Sequence, residues 1–215
     1  MSVHLWLALL GAATLVSLTP GAGAIFTMTN AIAVGRARAI WGILGQQVGL
    51  IALLLIVAFG VGVLVASSPQ TMQGIRLAGA AYLVYLGVRQ FWLAGRPAAA
   101  AVDAEATQDA RLERYLRPAA MFNRGVWVNF FNPKAIVFFL AFIPQFIDLS
   151  RPAVPQYAVA IATIVAVDIC VMWLGFAQAA HALGRFARNA NGQRTMNRVF
   201  GVLYVLVGVG LALLH

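Results

Sequence analysis

The chain has 215 residues, of which 62% are hydrophobic and 10% charged, with a formal net charge of +9 and a mean hydropathy of +0.86. A soluble domain carries about 25% charged residues, so this composition excludes a soluble core and indicates an integral membrane protein with room for about six spans of ~20 residues. The basic residues are arginines beside apolar segments, which points to helix orientation in a bilayer rather than to a nucleic-acid partner.

Apolar segments are expected at about 4–26, 40–66, 74–93, 120–147, 156–181 and 198–214. The first is read as a span and not as a cleaved leader. A signal peptide opens on a positive n-region, whereas the first Lys or Arg here is Arg36. This segment contains Pro20 within Leu18-Thr19-Pro20-Gly21-Ala22-Gly23-Ala24. Proline removes a backbone bond and clashes with the preceding turn, so it breaks the helix. The second segment carries the stripe Gly42, Gly45, Gly49, a spacing that predicts close helix packing, with Gln46 and Gln47 beside it. The third contains Gly79-Ala80-Ala81-Tyr82 and Gly87. Residues 94–118 form the one sizeable polar loop, with Asp103, Glu105 and Asp109. Its end, Arg111 to Arg117, reads either as a short surface helix with Leu112, Tyr115 and Leu116 on one face or as a solvated linker. The fourth apolar segment is broken again, at Phe131-Asn132-Pro133-Lys134. The fifth carries Asp168 and the single cysteine, Cys170, which excludes an internal disulfide. The sixth repeats the glycine–tyrosine pattern as Gly201-Val202-Leu203-Tyr204 with Gly208.

Twelve of the 15 basic residues fall at the loops after the first, third and fifth segments. The excess of Lys and Arg on cytoplasmic loops then puts both termini in the periplasm and the 94–118 loop in the cytoplasm. Two proline breaks at comparable places, together with the glycine–tyrosine pattern, suggest two three-helix halves, about 1–93 and 119–215. Three is odd, so the halves are inverted relative to each other, the plan of many secondary transporters. The expected fold is therefore all-α: one polytopic domain over 1–215, six transmembrane helices, two inverted repeats, and broken first and fourth helices.

Backbone groups freed at a break cannot turn to water inside lipid, so they face protein, a cavity or a ligand. Asp168 is the one acidic residue deep in an apolar segment, where a charge costs at least ~2.5 kcal/mol. Lys134 is its natural partner, and such a pair suits a zwitterion. The helix after Pro20-Gly21 would direct free N–H groups at the break, and Gly21 and Gly23 let a ligand approach the backbone. Asn30, Asn129 and Asn132 offer hydrogen bonds without charge, and Gln46 and Tyr82 are further candidates for the cavity wall. No cofactor or metal is expected. His4, His181 and His215 are scattered without partners at ligand spacing, and there is no glycine-rich phosphate loop.

These residues resemble a known family. Ser17-Leu18-Thr19-Pro20-Gly21, the glycine-rich second segment, Gly79-Ala80-Ala81-Tyr82-Leu83 and Asn132-Pro133-Lys134 are together similar to the LysE/RhtB amino-acid exporters. Residues 162–169, Ala-Thr-Ile-Val-Ala-Val-Asp-Ile, are similar to the homoserine and homoserine-lactone efflux branch. One departure is Pro20-Gly21-Ala22, where many members have Pro-Gly-Pro. The resemblance implies export of homoserine, homoserine lactone, threonine or a related small compound across the bacterial inner membrane, exchanged for protons, by a chain that is not an enzyme. Asp168 would then bind the substrate amino group or carry the coupling proton, and Lys134 with the amides after Pro20 would hold its oxygen atoms. Homo-oligomerisation stays open. So do two other readings: an exporter of another small cation or inorganic ion, and a membrane enzyme acting on lipid-like substrates.

The charge pattern makes a direct prediction. In a Cys170→Ala background, a Glu105→Cys variant in intact cells should resist an impermeant thiol reagent added outside. Labelling from outside would invert the assigned orientation.

Overall fold

The computed structural model describes residues 1–67, 69–94, 116–148, 150–180 and 190–213. All regular structure among these residues is helical. The expected cytoplasmic loop, with Glu105 and the segment 111–115, lies outside the described residues.

Helix α1 (Val3–Leu18) starts at Ser2, whose hydroxyl accepts from the Leu5 N–H. It stops because Thr19 precedes Pro20 and takes an extended conformation (φ −73°, ψ 117°), as a residue before proline must. Helix α2 (Ala22–Ser67) is helical on both sides of Gly35, which sits at φ 80°, ψ 158°. L side chains avoid that region. The two arms fold back on each other around this glycine. A Cβ at Gly42 would lie 2.9 Å from Asn30 Nδ2 and 2.9 Å from Phe26 Cε1, and Gln46 Nε2 donates to Thr27 Oγ1 at 2.8 Å. The sequence reading expected a loop carrying Arg36 and Arg38 here. Instead one residue reverses the chain, both arginines are helical, and the helix after Pro20 reaches residue 34 rather than 26. Arg36 ties the turn down: its guanidinium lies 5.7 Å from the Trp173 ring centroid and donates to the Gln178 side chain.

Helix α3 spans Pro69–Ala94. Helices α4 (Pro118–Phe130) and α5 (Pro133–Phe142) each begin on proline, which is pre-organised for the first helical turn. They form a pair bent by 53°, and α5 ends in a 3-10 turn, Ile143–Phe146. Helix α6 (Ala153–Cys170) continues into a π-turn, Val171–Ala177, and α7 spans Ala190–Leu213. The link into α6 is fastened by buried Gln156, which accepts from the Asp148 N–H at 2.9 Å and donates to the Asp148 carbonyl at 2.8 Å. In that link the Ser150 hydroxyl and N–H both donate to Asp148 and hold its carboxyl below the usual carboxylate range.

Glycines set the closest packing. The second arm of α2 runs parallel to α4, with Gly45 against the Phe122 carbonyl and Gly49 against that of Val126. Helices α3 and α7 cross antiparallel: a Cβ at Gly201 would meet the Gly87 carbonyl at 3.0 Å, and one at Gly208 the Ala80 carbonyl at 2.9 Å. Helices α1 and α6 run side by side in the same direction, joined by Trp6 Nε1 to Thr163 Oγ1 at 3.0 Å and, further along both, by Ser17 to Asp168.

The segments 22–60 and 153–177 are long and apolar enough to cross a membrane, as is the bent α4–α5 pair if it counts as one span; α1, 77–89 and 201–210 are shorter apolar helices. The surface is apolar, with Phe59, Trp92, Phe131 and Leu213 more than 60% exposed. Among the described residues, ten polar or charged side chains are buried. That inversion of the soluble arrangement fits a protein whose solvent is lipid.

Gly45→Ala or Gly49→Ala should lower thermal stability by about 1–3 kcal/mol or more, the cost of overpacking against backbone. Gly11→Ala, where an added Cβ meets nothing within 4 Å, should be neutral. A melting series in detergent checks the contrast.

Candidate functional site

Two apolar clusters fill the interior. One contains Val16, Leu50, Ala135, Phe139 and Ile164; the other contains Ala24, Ile43, Met172 and Phe176. On three stretches of the chain the buried polar residues lie at or between members of the two clusters. Ser17 and Thr19 follow Val16, Gln46 and Gln47 lie between Ile43 and Leu50, and Asp168 lies between Ile164 and Met172. The result is a polar layer across an apolar interior. A cavity of about 40 Å³ opens in it, walled by residues of both clusters and by Ser17, Thr19, Gly21, Gly23, Asn129, Asn132, Lys134 and Asp168.

Both helix breaks reach this cavity, and a single side chain joins them. Lys134, in the first turn of α5, donates from Nζ to the Val16 carbonyl at 2.9 Å and to the Thr19 carbonyl at 2.7 Å. These carbonyls belong to the end of α1, where the last C=O groups lack i+4 partners; the Val16 carbonyl also accepts from the Thr19 N–H at 3.2 Å. A cation there also meets the negative end of the helix dipole. The Thr19 hydroxyl donates back to Leu15 O at 2.8 Å. Asn132 begins α5, its side chain accepting from the Lys134 N–H at 3.1 Å. Lys134 is thus held at both its backbone and its ammonium.

Asp168 is partnered differently from the expectation. Its carboxylate accepts from Ser17 Oγ at 3.0 Å and Gln47 Nε2 at 2.8 Å. Lys134 and Asp168 line the same cavity but are not in ion-pair contact. The direct pair expected from sequence is replaced by two separate networks, because the α1 carbonyls compete for the ammonium and the Ser17 and Gln47 donors compete for the carboxylate.

Of the other candidates, Gly21, Gly23, Asn129 and Asn132 line the cavity, and Pro20 and Pro133 sit at the two breaks. Gly23 is a close approach, where an added Cβ would lie 2.5 Å from Gln46 Oε1, whereas one at Gly21 would make ordinary van der Waals contact, 3.5 Å from Lys134 Cδ. Gln46 stands one row behind, bonded to Thr27 and accepting at its backbone oxygen from Asn129 Nδ2 at 3.1 Å. Asn30 is buried at the crossing with Gly42 and is not part of the cavity wall. Tyr82 also lies off the wall, its ring 6.0 Å from that of Tyr85. Tyr204, which the sequence pattern aligned with Tyr82, is the buried one and reaches the Thr19 side chain.

Sequence reasoning missed Ser17, Thr19, Gln47 and Met172. One signal was available: a lone mid-helix carboxylate demands donors, and Ser17 and Gln47 are among the few polar groups at matching depth. Among the described residues no three His, Cys, Asp or Glu side chains come together as a metal set.

Comparison with known proteins follows this geometry. A family model described as "LysE type translocator" matches residues 6–215. The chain is 36% identical to a homoserine/homoserine lactone efflux protein of Salmonella typhimurium, covering 99% of this chain and 98% of that one. It is 37% identical to an uncharacterized membrane protein of Vibrio cholerae, again covering 99% and 98%, and 28% identical to a leucine efflux protein of Salmonella choleraesuis over 99% and 96%. No solved structure matches.

Lys134→Met should destabilise the fold by about 1.5–3 kcal/mol, the scale of hydrogen bonds from a charged donor. Adding Asp168→Asn should not restore the loss, since the two are not paired. Melting of the single and double variants in detergent checks this.

Proposed function

The chain belongs to the LysE family of translocators, whose members are efflux proteins and not enzymes, and from this premise we propose that it exports homoserine, homoserine lactone, threonine or a close relative in exchange for protons. The observation that carries the reading is the convergence of both broken helices, one buried carboxylate and one buried ammonium on a single cavity. A zwitterion or a cationic amino ester needs those groups. The carboxylate takes the substrate amino group or the coupling proton, and Lys134 with the N–H groups opening α2 takes its oxygens. The higher identity to the homoserine branch than to the leucine exporters favours small polar substrates.

The same reading takes the chain as six spans in two inverted halves within the bacterial inner membrane, both termini periplasmic. The packing directions support it. In a six-span serpentine the first and fifth rods run parallel, as do the second and fourth, while the third and sixth oppose each other. Those are the directions of α1 with α6, of the second arm of α2 with α4, and of α3 with α7. Exchanging first with fourth, second with fifth and third with sixth maps this set of contacts onto itself, as an inverted repeat requires.

Asp168→Asn should insert and fold, because the Ser17 hydroxyl can turn to accept where the carboxylate oxygen becomes an amide. It should reduce pH-gradient-driven uptake of labelled homoserine and threonine into inside-out vesicles to background. Near-normal transport would leave Asp168 a structural hydrogen-bonding residue.

A further inference from the structure

The cavity already holds an ammonium group. Lys134 Nζ sits on the Val16 and Thr19 carbonyls at 2.9 and 2.7 Å, and the cavity beside it is small, about 40 Å³. A substrate ammonium cannot take those two carbonyls while the lysine holds them. Something must leave. The two carbonyls are backbone, and Phe139 and Leu50 are packed in the core. The lysine is a flexible four-carbon stem with a compact ammonium, so it is the part of the wall that moves at least cost.

We propose that Lys134 is a tethered stand-in for the substrate. In the empty transporter its ammonium occupies the substrate ammonium position on the Val16 and Thr19 carbonyls, and a bound substrate displaces it. This rests on the exporter reading and refines its roles: the α1 carbonyls, rather than Asp168, receive the substrate amino group. The displaced lysine turns to the substrate oxygens or to Asp168, which lines the same cavity and is not in contact with it. The net charge of the site is then unchanged by a zwitterion and raised by one by a cationic ester. The ligand class is a primary ammonium on a short carbon chain, since two carbonyl acceptors require N–H donors. Displacement keeps the end of α1 capped, by the substrate ammonium, and releases α1 from its tether to α5.

Two measurements on the purified full chain test this. Lys134→Ala deletes the tethered group and leaves its space. n-Butylammonium chloride should then raise Tm saturably by at least ~2 °C, with no such effect on the unmodified chain. n-Butanol and tetramethylammonium chloride, which match only the carbon chain or only the charge, should not do so. Failure of n-butylammonium to stabilise the folded variant would overturn the ammonium site. In the second measurement, Lys134 is the only lysine in the sequence, so ¹⁵Nζ-lysine labelling yields one side-chain signal in the unmodified protein. Saturating homoserine should shift it. An unmoved signal while homoserine raises Tm would overturn displacement, even if the alanine variant does not fold. Absence of any homoserine binding would instead count against the exporter reading, and the butylammonium result would still decide the site.

Discussion

The end of α1 inside an apolar interior is the constraint around which the rest is arranged. Pro20 stops the helix, and the carbonyls left behind have no water to turn to. Lys134 supplies their donors and is placed to do so by a second proline break in a distant part of the chain. Each break is tolerable because of the other. Where Lys134 starts α5, Asn132 caps it, and where Lys134 crosses the gap its stem passes beside Gly21. The polar layer follows. Ser17, next to the capped carbonyl of Val16, is free to serve Asp168, whose other oxygen is held by Gln47.

Close glycine contacts bring these groups to the same depth. The α2 arms fold on Gly35, so that Gly23 and Thr27 from one arm face Gln46 from the other. Gly45 and Gly49 let α4 approach until Asn129 reaches the Gln46 backbone. Larger residues at those positions would hold α4 away from α2. The wall of the cavity would then lose Asn129 and the approach to the second break. Helix packing in lipid has no hydrophobic drive between helices, so small residues and buried hydrogen bonds carry the association.

Placement of polarity connects the fold with transport. The outer surface is apolar and the interior layer is polar, which keeps ionisable groups from lipid while leaving them beside a small cavity. The half-helix ends are dipole ends as well as structural defects: the end of α1 is electronegative and the start of α2 electropositive, one on each side of Pro20. The proposed substrate, with both an amino group and oxygen atoms, would have a place at each. The π-turn just beyond Asp168, next to Met172 in the wall, adds a wider turn of backbone where such turns frequently occur, at functional sites.

The sequence by itself determined the class of solvent, the helical content, the two breaks and the residues that could not be left in lipid without partners. Composition, proline chemistry and the cost of a buried charge are local properties and can be read in one dimension. The glycine stripe was legible for the same reason, since only close backbone approach explains its spacing. Which partners satisfied the buried groups was not legible. The sequence offered Asp168 and Lys134 as opposite charges and suggested a pair. Only the tertiary structure set the Val16 and Thr19 carbonyls and the Ser17 and Gln47 donors nearer to them, and hydrogen bonding depends on distances of about 3 Å that no spacing along the chain encodes. The sequence placed a reversal between residues 26 and 40; that it is made at the single residue Gly35, with helix on both sides, is visible only in the backbone angle. Tyr204 rather than Tyr82 reaches the first break for the same kind of reason. The repeat made the two look equivalent, and the crossing of α3 with α7 decided which one faces inward.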